Sequence, residues 1–141
     1  PAFVLNWPSA SVWGWTMLAS LPFIPQSWRD TALARVSGED VADISGSTEP
    51  VAQMINIGSK AYSAALPTPR PLTADELAAL PMPVYVALAD GSPITGAKSA
   101  SSAEQIPQVQ IKVWPNTTHS LPMQVAEPLA TELGEFWSNH E

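Results

Sequence analysis

His119 stands in the loop Pro115-Asn116-Thr117-Thr118-His119-Ser120, between an extended apolar run and the last helical stretch of the chain. An imidazole held in a loop at the end of a strand can take up a proton, so the position suits a general base. A second extended run, Pro83 to Ala89, ends in Asp90-Gly91-Ser92-Pro93. Two strand ends of this kind would aim Asp90, Ser92 and His119 at one rim of a sheet. There a carboxylate or a hydroxyl can accept a hydrogen bond from an imidazole N–H. Asp90-Gly91 is equally a good turn, and Ser92 a good residue to open a helix. Asn116, Thr117 and Thr118 read as plain loop residues.

Residue types exclude other chemistries. The chain has no cysteine, hence no disulfide framework, thiolate nucleophile or zinc-thiolate site. His140, beside the C-terminus, is expected in solvent; two distant histidines do not make a metal site, and no cofactor is expected. A net charge of −7 with only six Lys and Arg lacks the clustered cations that phosphates require, so nucleic acid is not an expected partner. A strongly negative substrate is disfavoured for the same reason.

No charge precedes Arg29, so that stretch must be tested as a membrane span. Pro8, Pro22 and Pro25 cut it, leaving about 13 uninterrupted residues where about 20 are needed. The missing basic start also argues against a signal peptide, which favours the cytoplasm. The start at Pro1 rather than Met implies processing or a boundary upstream.

The elements that would position these groups fall into two regions. With 141 residues and 45% hydrophobic content, one domain with one core is expected. Residues 1 to about 70 are rich in Trp and Pro and predict three helices, Ser9 to Leu21, Gln26 to Val36 and Thr48 to Ala65, the last with a buried stripe of Val51, Met54, Ile55 and Gly58. Leu66-Pro67-Thr68-Pro69-Arg70-Pro71 must be extended, because three prolines forbid a helix, and it reads as a boundary.

Beyond it Thr73-Ala74-Asp75-Glu76 matches a capping box that opens a helix to about Leu80. Val84 to Ala89 is continuously apolar, as in a parallel strand covered on both faces. Val109 to Trp114 alternates, with Val109, Ile111 and Val113 on one face, as in an edge strand. Thr95 to Pro107 between them is long enough for a right-handed crossover. Leu121 to Trp137 predicts a final helix burying Val125, Leu129, Leu133, Phe136 and Trp137. The outcome is an α/β chain with an incomplete sheet: two parallel strands are not stable alone, and the unpaired edge of 84–89 should drive self-association or pairing with a missing N-terminal half.

Residues from about Thr73 to Trp137 resemble the C-terminal end of the α/β-hydrolase fold. The likeness rests on Met82-Pro83-Val84-Tyr85-Val86-Ala87-Leu88-Ala89-Asp90-Gly91-Ser92-Pro93-Ile94, a crossover helix, then Val109-Gln110-Ile111-Lys112-Val113-Trp114-Pro115-Asn116-Thr117-Thr118-His119 before the last helix. In that family the first strand carries a pattern like Gly-Asp-x-Asp-Pro-Ile and the second leads to Gly-x-Gly-His, at similar spacing. By the same resemblance residues 1–70 correspond to the helical lid inserted after the sixth strand, and 71–141 to the C-terminal β-α-β-α part of the core. It covers nearly the whole chain but only the latter half of a typical hydrolase.

The family's chemistry needs a serine on a Gly-x-Ser-x-Gly turn, a histidine and an orienting carboxylate. The resemblance makes His119 the general base. No Gly-x-Ser-x-Gly is present; Ile44-Ser45-Gly46-Ser47-Thr48 and Asp90-Gly91-Ser92-Pro93 both lack the flanking glycines. With Pro93-Ile94 aligned on the family's Pro-Ile, Ser92 takes the place of the orienting Asp and Asp90 the earlier acidic position. Either Asp90 reaches round the Gly91 turn, or a carboxylate outside the chain serves, or this is a degenerate hydrolase. Trp7, Trp13, Trp15 and Trp28, with Met17, Leu18 and Phe23, are candidates to line an apolar substrate channel; equally they form lid core.

The expectation is therefore part of a hydrolase for an ester or related acyl bond in a small, neutral, fairly apolar substrate, inactive by itself. A haloalkane- or epoxide-type hydrolase with an upstream Asp nucleophile fits these residues equally. A different class, a non-enzymatic interaction module, would use the uncharged N-terminal segment to dock a partner.

Overall fold

The computed structural model describes residues 5–21, 23–44, 50, 53–54, 57–58, 70–95 and 98–140. Its elements run α1 (Ala10–Ser20), α2 (Gln26–Ser37), α3 (Val41–Ile44), α4 (Ala74–Ala78), β1 (Val84–Ala89), α5 (Lys98–Ala103), β2 (Val109–Trp114), α6 (Leu121–Gln124) and α7 (Ala126–Ser138).

The helical half begins where the sequence supplies a cap. Ser9 Oγ accepts the Val12 N–H and starts α1, as capping requires. Helix α1 packs on α2, the pair burying Val12, Ala32 and Ala34. Gly38 ends α2 in the left-handed conformation, φ 80°, with its N–H donated to Ala34 O at 2.9 Å; glycine adopts that geometry without a Cβ penalty. The expected helix 48–65 lies largely outside the described residues, although Pro50, Gln53, Met54, Ile57 and Gly58 are helical. Residues 66–69 of the proline connector also lie outside them.

At Thr73 the expected capping box forms: Thr73 Oγ1 accepts the Glu76 N–H, and Glu76 returns a carboxylate oxygen to Thr73 N at 2.8 Å. Arg70 adds a two-pronged contact to the same carboxylate at 2.7 and 2.6 Å. These donors, Arg70 first and then the Thr73 backbone, hold the Glu76 carboxyl down at about 2. A carboxyl lowered by folding contributes stability above the ordinary glutamate range, and that contribution is lost as pH falls towards about 2. A carbon-detected NMR titration of Glu76 should give a midpoint near 2 that rises in Arg70→Ala; an unchanged midpoint would break the assignment.

Strands β1 and β2 pair in parallel, in register from Val84↔Val109 to Ala89↔Trp114. Side chains alternate across a strand, so Tyr85, Ala87 and Ala89 share a face with Gln110, Lys112 and Trp114. That face meets the last helices: Ala89, Trp114 and Leu121 form a buried cluster with Ala87, Val125 and Leu129 against it. Phe136 lies edge-on to Tyr85 at 5.6 Å, while Tyr85 OH and Lys112 Nζ both reach Glu132. Each large apolar side chain buried here contributes about 1.5–3 kcal/mol.

Four expectations are corrected. Val113 is 51% exposed while Trp114 is buried, because the helices cover the face carrying Lys112 and Trp114 rather than the Val109, Ile111, Val113 face. The last helix is two: Pro128 has no N–H for the Gln124 carbonyl and its ring crowds that carbonyl, so the chain breaks at Val125 (φ −131°) before α7 begins. Trp137 is 61% exposed although Phe136 is buried, since neighbouring residues on a helix point about 100° apart. Strand β1 is buried on both sides only at Leu88 and Ala89; Val84 to Ala87 are half-buried. Among the described residues β2 is its single partner, and no described strand pairs with its other edge.

Candidate active site

The parallel register brings the loops after β1 and β2 to one rim, where backbone groups join them. Asp90 N–H donates to Trp114 O at 3.3 Å and Gly91 N–H to Thr117 O at 2.9 Å. Asp90 Oδ1 in turn accepts the Thr117 N–H at 3.3 Å. Gly91 is required by closeness: a Cβ there would sit 2.8 Å from Thr117 O.

The His119 loop is shaped by residues that read as plain in the sequence. Asn116 takes φ 56°, a left-handed position that asparagine tolerates. The chain thereby turns back, and buried Thr117 donates its hydroxyl to Trp114 O at 2.8 Å. Gln124 Oε1 accepts the Thr118 N–H at 2.8 Å, and Thr118 Oγ1 accepts the Ser120 N–H at 3.2 Å. His119 is therefore delivered on a braced turn just before α6.

The third wall of the rim comes from α2. His119 N–H donates to Ser37 O at 2.9 Å, and Thr118 Oγ1 donates to Glu39 Oε1 at 3.3 Å. A Cβ on Gly38 would lie 2.8 Å from Gly91 O and 3.0 Å from Pro93 Cδ, so the end of α2 touches both loops. Glu39 was not singled out by sequence. The only local signal was Gly38, which marks a helix end but not where that end lands.

The His119 residue is exposed overall, but partial desolvation of its ring by the surrounding loops lowers its pKa, and the Glu39 carboxylate opposes that shift. The ring is thus neutral at neutral pH, the form that accepts a proton.

The other candidates are placed differently. Asp90 belongs to the rim, committed to the Thr117 N–H. Ser92 is buried and its hydroxyl accepts from Ile94 N, Thr95 N and Thr95 Oγ1 at 3.3, 3.2 and 3.1 Å. It closes its own turn. A cavity of about 410 Å³ runs along β1 and reaches Thr118, His119 and Leu121. Trp13, Trp15 and Leu18 are half-buried on α1 and do not line it. His140 is exposed, as expected, and its ring also rests on Phe136 at 4.5 Å between centroids, with Nδ1 2.6 Å from Phe136 O. Among the described residues no group of three or more His, Asp or Glu is placed to hold a metal ion. No helix among them is long and apolar enough to cross a membrane.

No family model matches the chain, and no curated protein matches it in sequence. Its shape does match solved structures. Naproxen esterase (carboxylesterase NP) from Bacillus subtilis superposes with a TM-score of 0.74 at 15% identity, over 97% of this chain and 48% of that one. Carboxylesterase CesB from the same organism gives 0.74 at 16% identity, over 97% and 48%. The fold is that of the C-terminal half of an α/β-hydrolase.

The chain spans about half the length of the structures it matches. At its rim it presents one neutral imidazole, one carboxylate on the β1 loop and one on the α2 end. Such a set can accept a proton and stabilise the resulting cation, but it holds no activated nucleophile among the described residues.

Proposed function

We propose that this chain is the part of an ester-cleaving α/β-hydrolase that carries the general base, His119, and that the nucleophile belongs to a half outside these residues. Residues 1–70 act as the lid and 71–141 as the C-terminal part of the core. The substrate is a neutral, fairly apolar ester or related acyl compound, since a chain of net charge −7 repels anions. One observation carries the reading: a neutral imidazole sits on a braced turn at the end of β2, beside the end of β1, in a fold shared with two carboxylesterases.

The cavity supports a missing partner strand. It follows Val84 to Ala89 along the edge of β1 that β2 leaves open, and a row of unpaired backbone groups is a template for another strand. The isolated chain is accordingly expected to leave p-nitrophenyl butyrate unhydrolysed. Turnover by the purified chain that disappears in His119→Ala would overturn the proposal.

A non-enzymatic docking module is the second reading, favoured by the exposure of Trp7, Met17, Phe23 and Trp28 in the N-terminal region. Sequencing upstream separates the two. A Gly-x-Ser-x-Gly after a strand supports the enzyme; an initiator Met directly before Pro1 supports the module.

A further inference from the structure

Two carboxylates stand at the rim, and they are engaged differently. Asp90 lies on the β1 loop, but its Oδ1 accepts the Thr117 N–H, which ties it to the backbone between the two loops. Glu39 follows Gly38 at the end of α2 and is held to the residue preceding His119 by the Thr118 hydroxyl at 3.3 Å. The adjoining Ser37 carbonyl accepts the His119 N–H at 2.9 Å. Two hydrogen bonds on consecutive residues thus fasten the Ser37–Glu39 segment alongside Thr118 and His119.

The fastening is itself supported from below. Gly38 abuts Gly91 O and Pro93 so closely that a Cβ would not fit. Glu39 N–H donates to Ser37 Oγ at 3.3 Å, which fixes the turn leaving the helix. Half-buried Glu39 is therefore a placed carboxylate rather than a roaming surface charge. Its charge acts on the His119 ring through space and favours the protonated form, against desolvation and the smaller opposing effect of the N-terminal amine.

We propose that Glu39 is the positioning carboxylate of His119, doing from the helical half what a carboxylate on the β1 loop would otherwise do. A carboxylate near an imidazole, even without a hydrogen bond to the ring, stabilises the imidazolium formed when the ring takes a proton, and Glu39 holds the turn that carries the ring through the Thr118 hydroxyl. Ser92, in the place of an orienting acid, offers no charge, and its hydroxyl is already used by its own turn. The assignment rests on His119 being the general base, and it makes the helical half a contributor to the site rather than only a cover.

The test begins with NMR titration of the His119 ring in the 141-residue chain. Glu39→Gln should move the midpoint to lower pH, because removing a negative charge disfavours imidazolium. Asp90→Asn should leave it in place, and Glu39→Asp should hold it near the parent value. Thr118→Val, which frees the carboxylate without removing it, should give a smaller shift in the same direction. An unmoved midpoint in Glu39→Gln, or a larger move in Asp90→Asn, overturns the proposal.

In an enzyme completed by its nucleophile-bearing half, Glu39→Gln should lower kcat by about 10²- to 10⁴-fold with little change in KM, and Glu39→Asp should recover most of it. A completed wild-type enzyme without ester turnover would defeat the general-base reading alone. The titration would still decide whether Glu39 is the partner of His119.

Discussion

His119→Ala, made in the protein that unites this half with a serine-bearing half, should reduce kcat for a short-chain ester by about 10³- to 10⁶-fold while leaving KM within a few fold. The magnitude follows from the role. A serine hydroxyl is a poor nucleophile until a neighbouring base removes its proton, so losing the base leaves only binding and electrostatic stabilisation to accelerate the reaction. The structure supplies a ring whose pKa is lowered, because partial desolvation opposes its protonation, which favours the neutral form a base needs. It also supplies a turn that aims the ring: Asn116 at φ 56°, the Thr117 hydroxyl on Trp114 O and the Ser37 carbonyl on His119 N–H. His140→Ala is the control, since His140 stacks on Phe136 at the far end of α7. Steady-state kinetics decide the matter: a His119→Ala enzyme within tenfold of the parent would remove this residue from the reaction.

Gly91→Ala is expected to disrupt the rim strongly for so small a substitution. The added Cβ would stand 2.8 Å from the Thr117 carbonyl oxygen, a backbone atom that cannot rotate away. The Gly91 N–H bond to that same oxygen would stretch or break, and the Thr117 N–H bond to Asp90 would go with it. Overpacking of this kind costs about 1–3 kcal/mol, which urea denaturation should read as a lower midpoint with an unchanged slope. Displacing the His119 turn by even about 1 Å should also cost on the order of 10² in turnover. Gly134→Ala provides the contrast. A Cβ there meets nothing within 4 Å, and alanine in place of a mid-helix glycine should stabilise α7 by about 1 kcal/mol. Equal effects at the two glycines would mean that the contact at Gly91 does not constrain the loops.

Much of the local architecture was legible because its rules act over a few residues. Ser9 and the Thr73–Glu76 capping box, the apolar run of β1 and the crossover before β2 all appear where side-chain chemistry and period place them. The break at Val125 was legible too, in Pro128, but a long apolar stripe from Leu121 to Trp137 masked it. The inward face of β2 was not: alternation marks two faces without saying which one a helix will cover. Here the helix carrying Glu132 and Phe136 chose the Lys112–Trp114 face, and Val113 was left exposed.

The site divides along the same line. Sequence alone determined that an imidazole would follow one strand and a carboxylate and a hydroxyl the other, since each lies within five residues of its strand end. Only the tertiary structure decided their employment: Ser92 turned into its own loop, Asp90 onto the Thr117 backbone, and Glu39 onto the Thr118 hydroxyl next to His119 in the chain. Thr118 and Glu39 are 79 positions apart, and Ser99 meets Asn6 across 93. Contacts at such separation carry no local signature, because they form only when the whole chain has collapsed and buried enough apolar surface to offset the entropy of closing those loops.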